Sequence, residues 1–138
     1  MSASQRTAPL LVAHRAGNSL VALQAAEAAR VDLIELDVWL ARGQLEVRHE
    51  KTLGPVPVLW DRWSLAPAWL PRLLLEDIVR ASAPTTEFML DLKGTARALS
   101  VHALRQMEQL AAGRPYTVAS QSSSLLEPFE GIPHVRVV

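Results

Sequence analysis

Residues 33–40 read LIELDVWL. Apolar and β-branched residues dominate this segment, which predicts a strand, and a strand sends alternate side chains to one face. Glu35 and Asp37 therefore aim at one point. They belong either to a solvated strand edge or to a cation site. Leu33, Ile34, Leu36 and Val38 mark the strand as largely buried, and unpaired carboxylates are costly to bury, so the pair calls for a cation. Oxygen ligands alone select a hard ion, Mg2+ or Ca2+.

On each side of this strand a short apolar segment closes on a histidine: LLVAHR on His14 and Arg15, and LEVRH on His49. Imidazole titrates near neutral pH, so one ring can take a proton while the other gives one. For either residue alone a structural core histidine is the simpler expectation. Together, beside two carboxylates, they read as an acid/base pair. Further on, MLDLKG places Asp91 in a similar setting, with Lys93 two residues later. Arg15 and Lys93 are read either as surface ion-pair partners or as cations facing a phosphate, the first through a planar fork and the second as a point charge.

The remaining pattern alternates strand and helix. Residues 10–13 form a first strand, and Asn18 or Ser19 caps an alanine-rich helix ending near Arg30. Strand 33–40 is followed by the turn Arg42-Gly43 and a third strand at 45–49. A helix over 74–81, a strand over 88–92 and a helix over 96–112 come next, with Leu99, Ala103, Met107 and Leu110 on one face and Gly113 as its stop. A fifth strand covers 116–119 and a sixth 135–138. Residues 53–72 carry Pro55, Pro57, Pro67 and Pro71 with Trp60, Trp63 and Trp69. They are expected to form an irregular loop whose tryptophans pack on the prolines or make a rim for a lipid-like or sugar-like alcohol. His102 and His134 receive no role. The alternation is that of a parallel-sheet α/β protein.

Composition sets bounds on function. Fourteen basic residues balance 14 acidic ones among 138, so no global field favours nucleic acid or a membrane surface. The chain has no cysteine, which removes disulfides and thiolate metal sites and fits a cytoplasmic setting. The apolar run before His14 is far too short for a signal-peptide core or a membrane span.

HRAGNS at 14–19, IELDV at 34–38, LEVRHEKTLG at 45–54 and LDLKG at 90–94 resemble, in order and spacing, the glycerophosphodiester phosphodiesterase family. The resemblance is strongest through residue 54. It implies a (β/α)8 barrel, metal-dependent cleavage of a glycerophosphodiester to glycerol 3-phosphate and an alcohol, and a site in this chain. In that site Glu35, Asp37 and Asp91 hold Mg2+ or Ca2+, His14 and His49 are catalytic, and Arg15 and Lys93 bind the substrate. Asp91 stands where the family usually has glutamate, and His49-Glu50 stands where it usually has a His-Asp pair. Which histidine is the acid stays open.

A full barrel needs about 200 residues at the least, so 138 residues are expected to form one incomplete barrel domain, residues 1–138, with about five or six of the eight strands. Two other readings accompany the resemblance. One is an inactive barrel fragment that self-associates through its open edge. The other is a different two-histidine, phospholipase-like phosphodiesterase.

Overall fold

The computed structural model describes residues 9–53, 56–61, 64–67 and 72–138. In chain order the elements are β1 (Val12–Ala13), a 3-10 turn (Ala16–Asn18), α1 (Leu20–Ala28), β2 (Leu33–Ala41), β3 (Gln44–Val47), β4 (Lys51–Leu53), β5 (Val56–Asp61), β6 (Ser64–Pro67), α2 (Leu75–Ala81), β7 (Phe88–Leu92), α3 (Arg97–Leu110), β8 (Tyr116–Ser120), two further 3-10 turns (Ser123–Leu125 and Glu127–Phe129) and β9 (Val135–Val137).

Five strands lie parallel in the order β1, β2, β7, β8, β9. The pleat sorts their side chains into two sets. Ile34, Leu36 and Val38 of β2 join Phe88, Leu90 and Leu92 of β7 and Val118 of β8 in a core with Leu23, Leu75, Ile78, Leu99 and Met107 of the helices. Leu36, Leu90 and Val118 stand side by side in register, each 0% exposed. The opposite face of the same strands carries Glu35 and Asp37, with Asp91 directly beside Asp37. This is the βα pattern of part of a (β/α)8 barrel, with polar chemistry on the face turned away from the helices.

The helix boundaries follow from local chemistry. Ser19, not Asn18, caps α1, its Oγ accepting the Ala22 N–H at 3.2 Å, a use suited to a short hydroxyl. Asp77 accepts the N–H of Leu74 at 2.9 Å and so closes the start of α2. Below the sheet, Arg114 donates to Thr86 O at 2.7 Å, Ala83 O at 2.8 Å and Ser82 Oγ at 2.9 Å. Glu27 accepts from Ala83 N at 2.8 Å and Thr86 Oγ1 at 2.6 Å. Together these two charged side chains tie down the connection from α2 to β7.

Two expectations need correction. The third strand does not reach His49: β3 stops at Val47, and it runs antiparallel to β2 where the other main strands run parallel, with Ala41 opposite Gln44. The cause is the two-residue turn at Arg42 (φ 50) and Gly43 (φ 74), a tight hairpin geometry that returns the chain on itself, whereas a parallel return needs a crossover of a dozen or more residues. Nor is the proline-rich segment irregular throughout, because β4, β5 and β6 pair as a three-stranded antiparallel sheet. Its prolines sit at positions where a sheet tolerates them: Pro57 falls at the register shift between β4 and β5, and Pro67 lies on the edge strand β6. The side chains of Trp60, Trp63 and Trp69, offered above as a rim, lie outside the described residues. Among those described, no helix is long and apolar enough to cross a membrane.

Candidate active site

β1 ends after Ala13, two residues along β2, so the polar edge of β2 beyond Ile34 must find other partners. The turn that follows supplies them. Arg15 adopts a left-handed backbone (φ 58) and its N–H donates to Glu35 Oε2 at 2.5 Å. Asn18 then takes the place of a neighbouring strand: its Oδ1 accepts the Asp37 N–H at 2.9 Å and its Nδ2 donates to Asp37 Oδ2 at 2.8 Å. Gly17 makes the close approach sterically feasible. A Cβ there would lie 2.6 Å from Leu36 Cβ, nearer than side chains tolerate.

This turn delivers His14 to Glu35, with Nδ1 3.0 Å from Oε2. The imidazole is largely exposed, while the carboxylate is buried. The Arg15 side chain is exposed. On the other flank the segment after β3 is pinned by Arg48 N donating to Asp37 O at 3.1 Å, and by Trp39 Nε1 donating to Arg48 O at 3.0 Å. The Arg48 guanidinium lies 4.8 Å over the Trp39 ring and donates to Glu50 O at 2.5 Å. Held in this way, His49 brings Nδ1 within 3.5 Å of Asp37 Oδ2, so a carboxylate of β2 faces that nitrogen.

Lys93 follows β7 and projects to the same face as Asp91. Its ammonium lies 2.6 Å from Asp91 Oδ2 and 3.2 Å from Asp37 Oδ1. One oxygen from each of Glu35, Asp37 and Asp91 falls within 4.8 Å of the others. Burial pushes the Glu35 carboxyl above its usual range, and the negative charges of Asp37 and Asp91 add to the effect against the lowering by Arg15 N–H and His14. Burial would lower the Lys93 ammonium, but its bonds to Asp91 and Asp37 outweigh that and leave it raised. Three converging carboxylate oxygens, two of them on buried residues, are a donor set that fits a hard divalent cation. A cavity of about 500 Å³ opens beside the cluster, lined among others by Trp39, His49, Asp91, Lys93, Gln121 and Ser122.

Six of the seven residues singled out from the sequence, His14, Glu35, Asp37, His49, Asp91 and Lys93, thus come to one place, on the polar face of β2 and β7 and on the segments that follow β1 and β3, whereas Arg15 reaches it through its backbone N–H alone. Asn18, Trp39 and Arg48 were not singled out. Asn18 read as a helix cap, and the hairpin contacts of Trp39 and Arg48 depend on a strand direction that only the turn geometry reveals. His134 pairs with Glu108 at 2.9 Å and, like His102 on α3, lies apart from this cluster.

Solved structures share this architecture. The phosphodiesterase domain of an uncharacterized Mycobacterium tuberculosis protein, described as a glycerophosphoryl diester phosphodiesterase domain, superposes with a TM-score of 0.67 at 23% identity, over 94% of this chain and 59% of that one. The fold is that of glycerophosphodiester phosphodiesterase domains. A chain from Galdieria sulphuraria, provisionally named as such a phosphodiesterase, gives a TM-score of 0.72 at 17% identity over 97% of this chain and 65% of its own. A glycerophosphodiester phosphodiesterase from Parabacteroides distasonis gives 0.68 at 18% identity over 93% and 63%. The chain therefore spans about three fifths of the length of these phosphodiesterase structures. No family model and no curated protein matches the sequence itself.

Proposed function

We propose that this chain carries the metal-dependent site of a phosphoric diester hydrolase that cleaves glycerophosphodiesters to glycerol 3-phosphate and an alcohol. The observation that carries the reading is the convergence of Glu35, Asp37 and Asp91 within 4.8 Å, flanked by His14 and His49, on the polar face of this particular fold. Glu35, Asp37 and Asp91 would hold Mg2+ or Ca2+. When bound, the ion supplies positive charge opposite the phosphoryl oxygens.

The protein's own groups do the rest. His14 and His49 divide the proton transfers: one removes a proton from the attacking water as the new P–O bond forms, and the other gives a proton to the departing alcohol oxygen as the old P–O bond breaks. Glu35 and Asp37 orient the two rings through their Nδ1 atoms. The Arg15 fork and the Lys93 ammonium bind phosphoryl oxygens, and the cavity beside Trp39 receives one of the two alcohol groups. A soluble, cytoplasmic setting suits a cysteine-free chain with such a substrate.

Release of glycerol 3-phosphate from glycerophosphocholine in the presence of Mg2+ or Ca2+ tests the reading. Absence of release at any concentration of either ion contradicts it. The exposed Leu10, Leu11 and Val12 at the β1 edge favour a second property, self-association through that edge. Sedimentation at several concentrations reads it out, and a monomer throughout removes it.

A further inference from the structure

The ammonium of Lys93 stands where it interferes with the cation site. It is bonded to Asp91 Oδ2 at 2.6 Å and to Asp37 Oδ1 at 3.2 Å, and these two residues are also two of the three that converge for a metal. A divalent ion bound to carboxylate oxygens sits roughly 2.0–2.6 Å from them, which would leave a double and a single positive charge a few ångströms apart in a partly buried site. Repulsion at that range is severe. The backbone of Lys93 is not free to retreat, because its N–H is bonded to Val38 O at 2.9 Å. The side chain is free to do so: it is 28% exposed and borders the cavity of about 500 Å³.

We infer that Lys93 is a tethered counter-cation that a divalent ion must displace from Asp37 and Asp91, and that the displaced ammonium turns into the cavity where the phosphodiester binds. The inference rests on the metal-site reading above. It gives the lysine two successive duties. Without metal it bridges two carboxylates that would otherwise repel and offsets one of their two charges, and with metal it becomes available to the substrate. The order of binding follows: ion first, phosphodiester second.

Calorimetric titration of the whole chain with Mg2+ tests this without recourse to activity. Lys93→Met removes the competitor and should bind Mg2+ about tenfold or more tightly than the wild type, as expected for loss of one close charge. Lys93→Arg keeps the charge and should bind no more tightly than the wild type. Equal or weaker affinity in Lys93→Met overturns the competition while leaving the metal site standing. Absence of binding in both wild type and Lys93→Met overturns the metal site itself and the competition with it. Nitrogen NMR of the wild-type chain covers the case in which Lys93→Met fails to fold. The Lys93 Nζ resonance should move over the same Mg2+ range that saturates the calorimetric signal, and an unmoved resonance contradicts the displacement.

Discussion

Asn18 and Asp37 hold each other by two hydrogen bonds of opposite direction, Asp37 N–H to Asn18 Oδ1 at 2.9 Å and Asn18 Nδ2 to Asp37 Oδ2 at 2.8 Å. The first replaces a missing strand partner and the second aims a carboxylate. Asn18→Leu removes both and leaves a buried N–H and a buried oxygen less satisfied, so we expect a loss of roughly 2–3 kcal/mol in urea unfolding together with weaker Mg2+ binding. Unchanged stability and affinity would show that Asn18 does neither.

Gly17 presses on β2 without a side chain. In Gly17→Ala the new methyl meets Leu36 Cβ at 2.6 Å and must push the turn outward, at a cost of about 1–3 kcal/mol as for other overpacked sites. Because His14, Arg15 and Asn18 ride on that turn, hydrolysis should fall with stability. A wild-type melting temperature sinks this expectation.

His14→Ala and His49→Ala should each slow glycerophosphocholine hydrolysis by ~100-fold or more if the two rings carry the proton transfers. Trp39→Phe keeps the ring but loses the bond from Nε1 to Arg48 O at 3.0 Å, and so loosens the segment that holds His49. Its effect should appear in kcat more than in KM. An unaffected rate in either histidine variant removes that residue from catalysis.

Arg114 lies at the other end of the strands and should matter for stability alone. Its guanidinium makes three hydrogen bonds to Thr86, Ala83 and Ser82 and sits 5.3 Å over the Phe88 ring. Arg114→Ala is expected to cost about 2–3 kcal/mol while leaving Mg2+ affinity at the wild-type value. Loss of affinity in a chain that stays folded would place Arg114 in the site after all.

The polar face was legible in advance because alternation along 33–40 leaves no choice: Ile34, Leu36 and Val38 must share one side, and Glu35 and Asp37 the other. Strand direction was less legible. LEVRH has the composition of any strand, and only the pair of positive φ angles at Arg42 and Gly43 turns it antiparallel. The strands over 51–67 were hidden by prolines, which count against a strand until a bulge or an edge makes their missing N–H harmless. Lys93 read either as an ion-pair partner or as a cation facing a phosphate, because a cation two residues after a carboxylate shares its side of the strand. That same geometry bonds it to Asp91. Asn18 was hidden by its neighbour, since both asparagine and serine suit a helix cap and only Ser19 performs that task.

The account depends on a divalent cation held by three carboxylates, and calorimetry with Mg2+ and Ca2+ on the wild-type chain and on Asp37→Asn tests it most directly. We expect one ion per wild-type chain and affinity lowered at least about tenfold when the charge of Asp37 is removed. Equal affinity in the two chains would contradict the site.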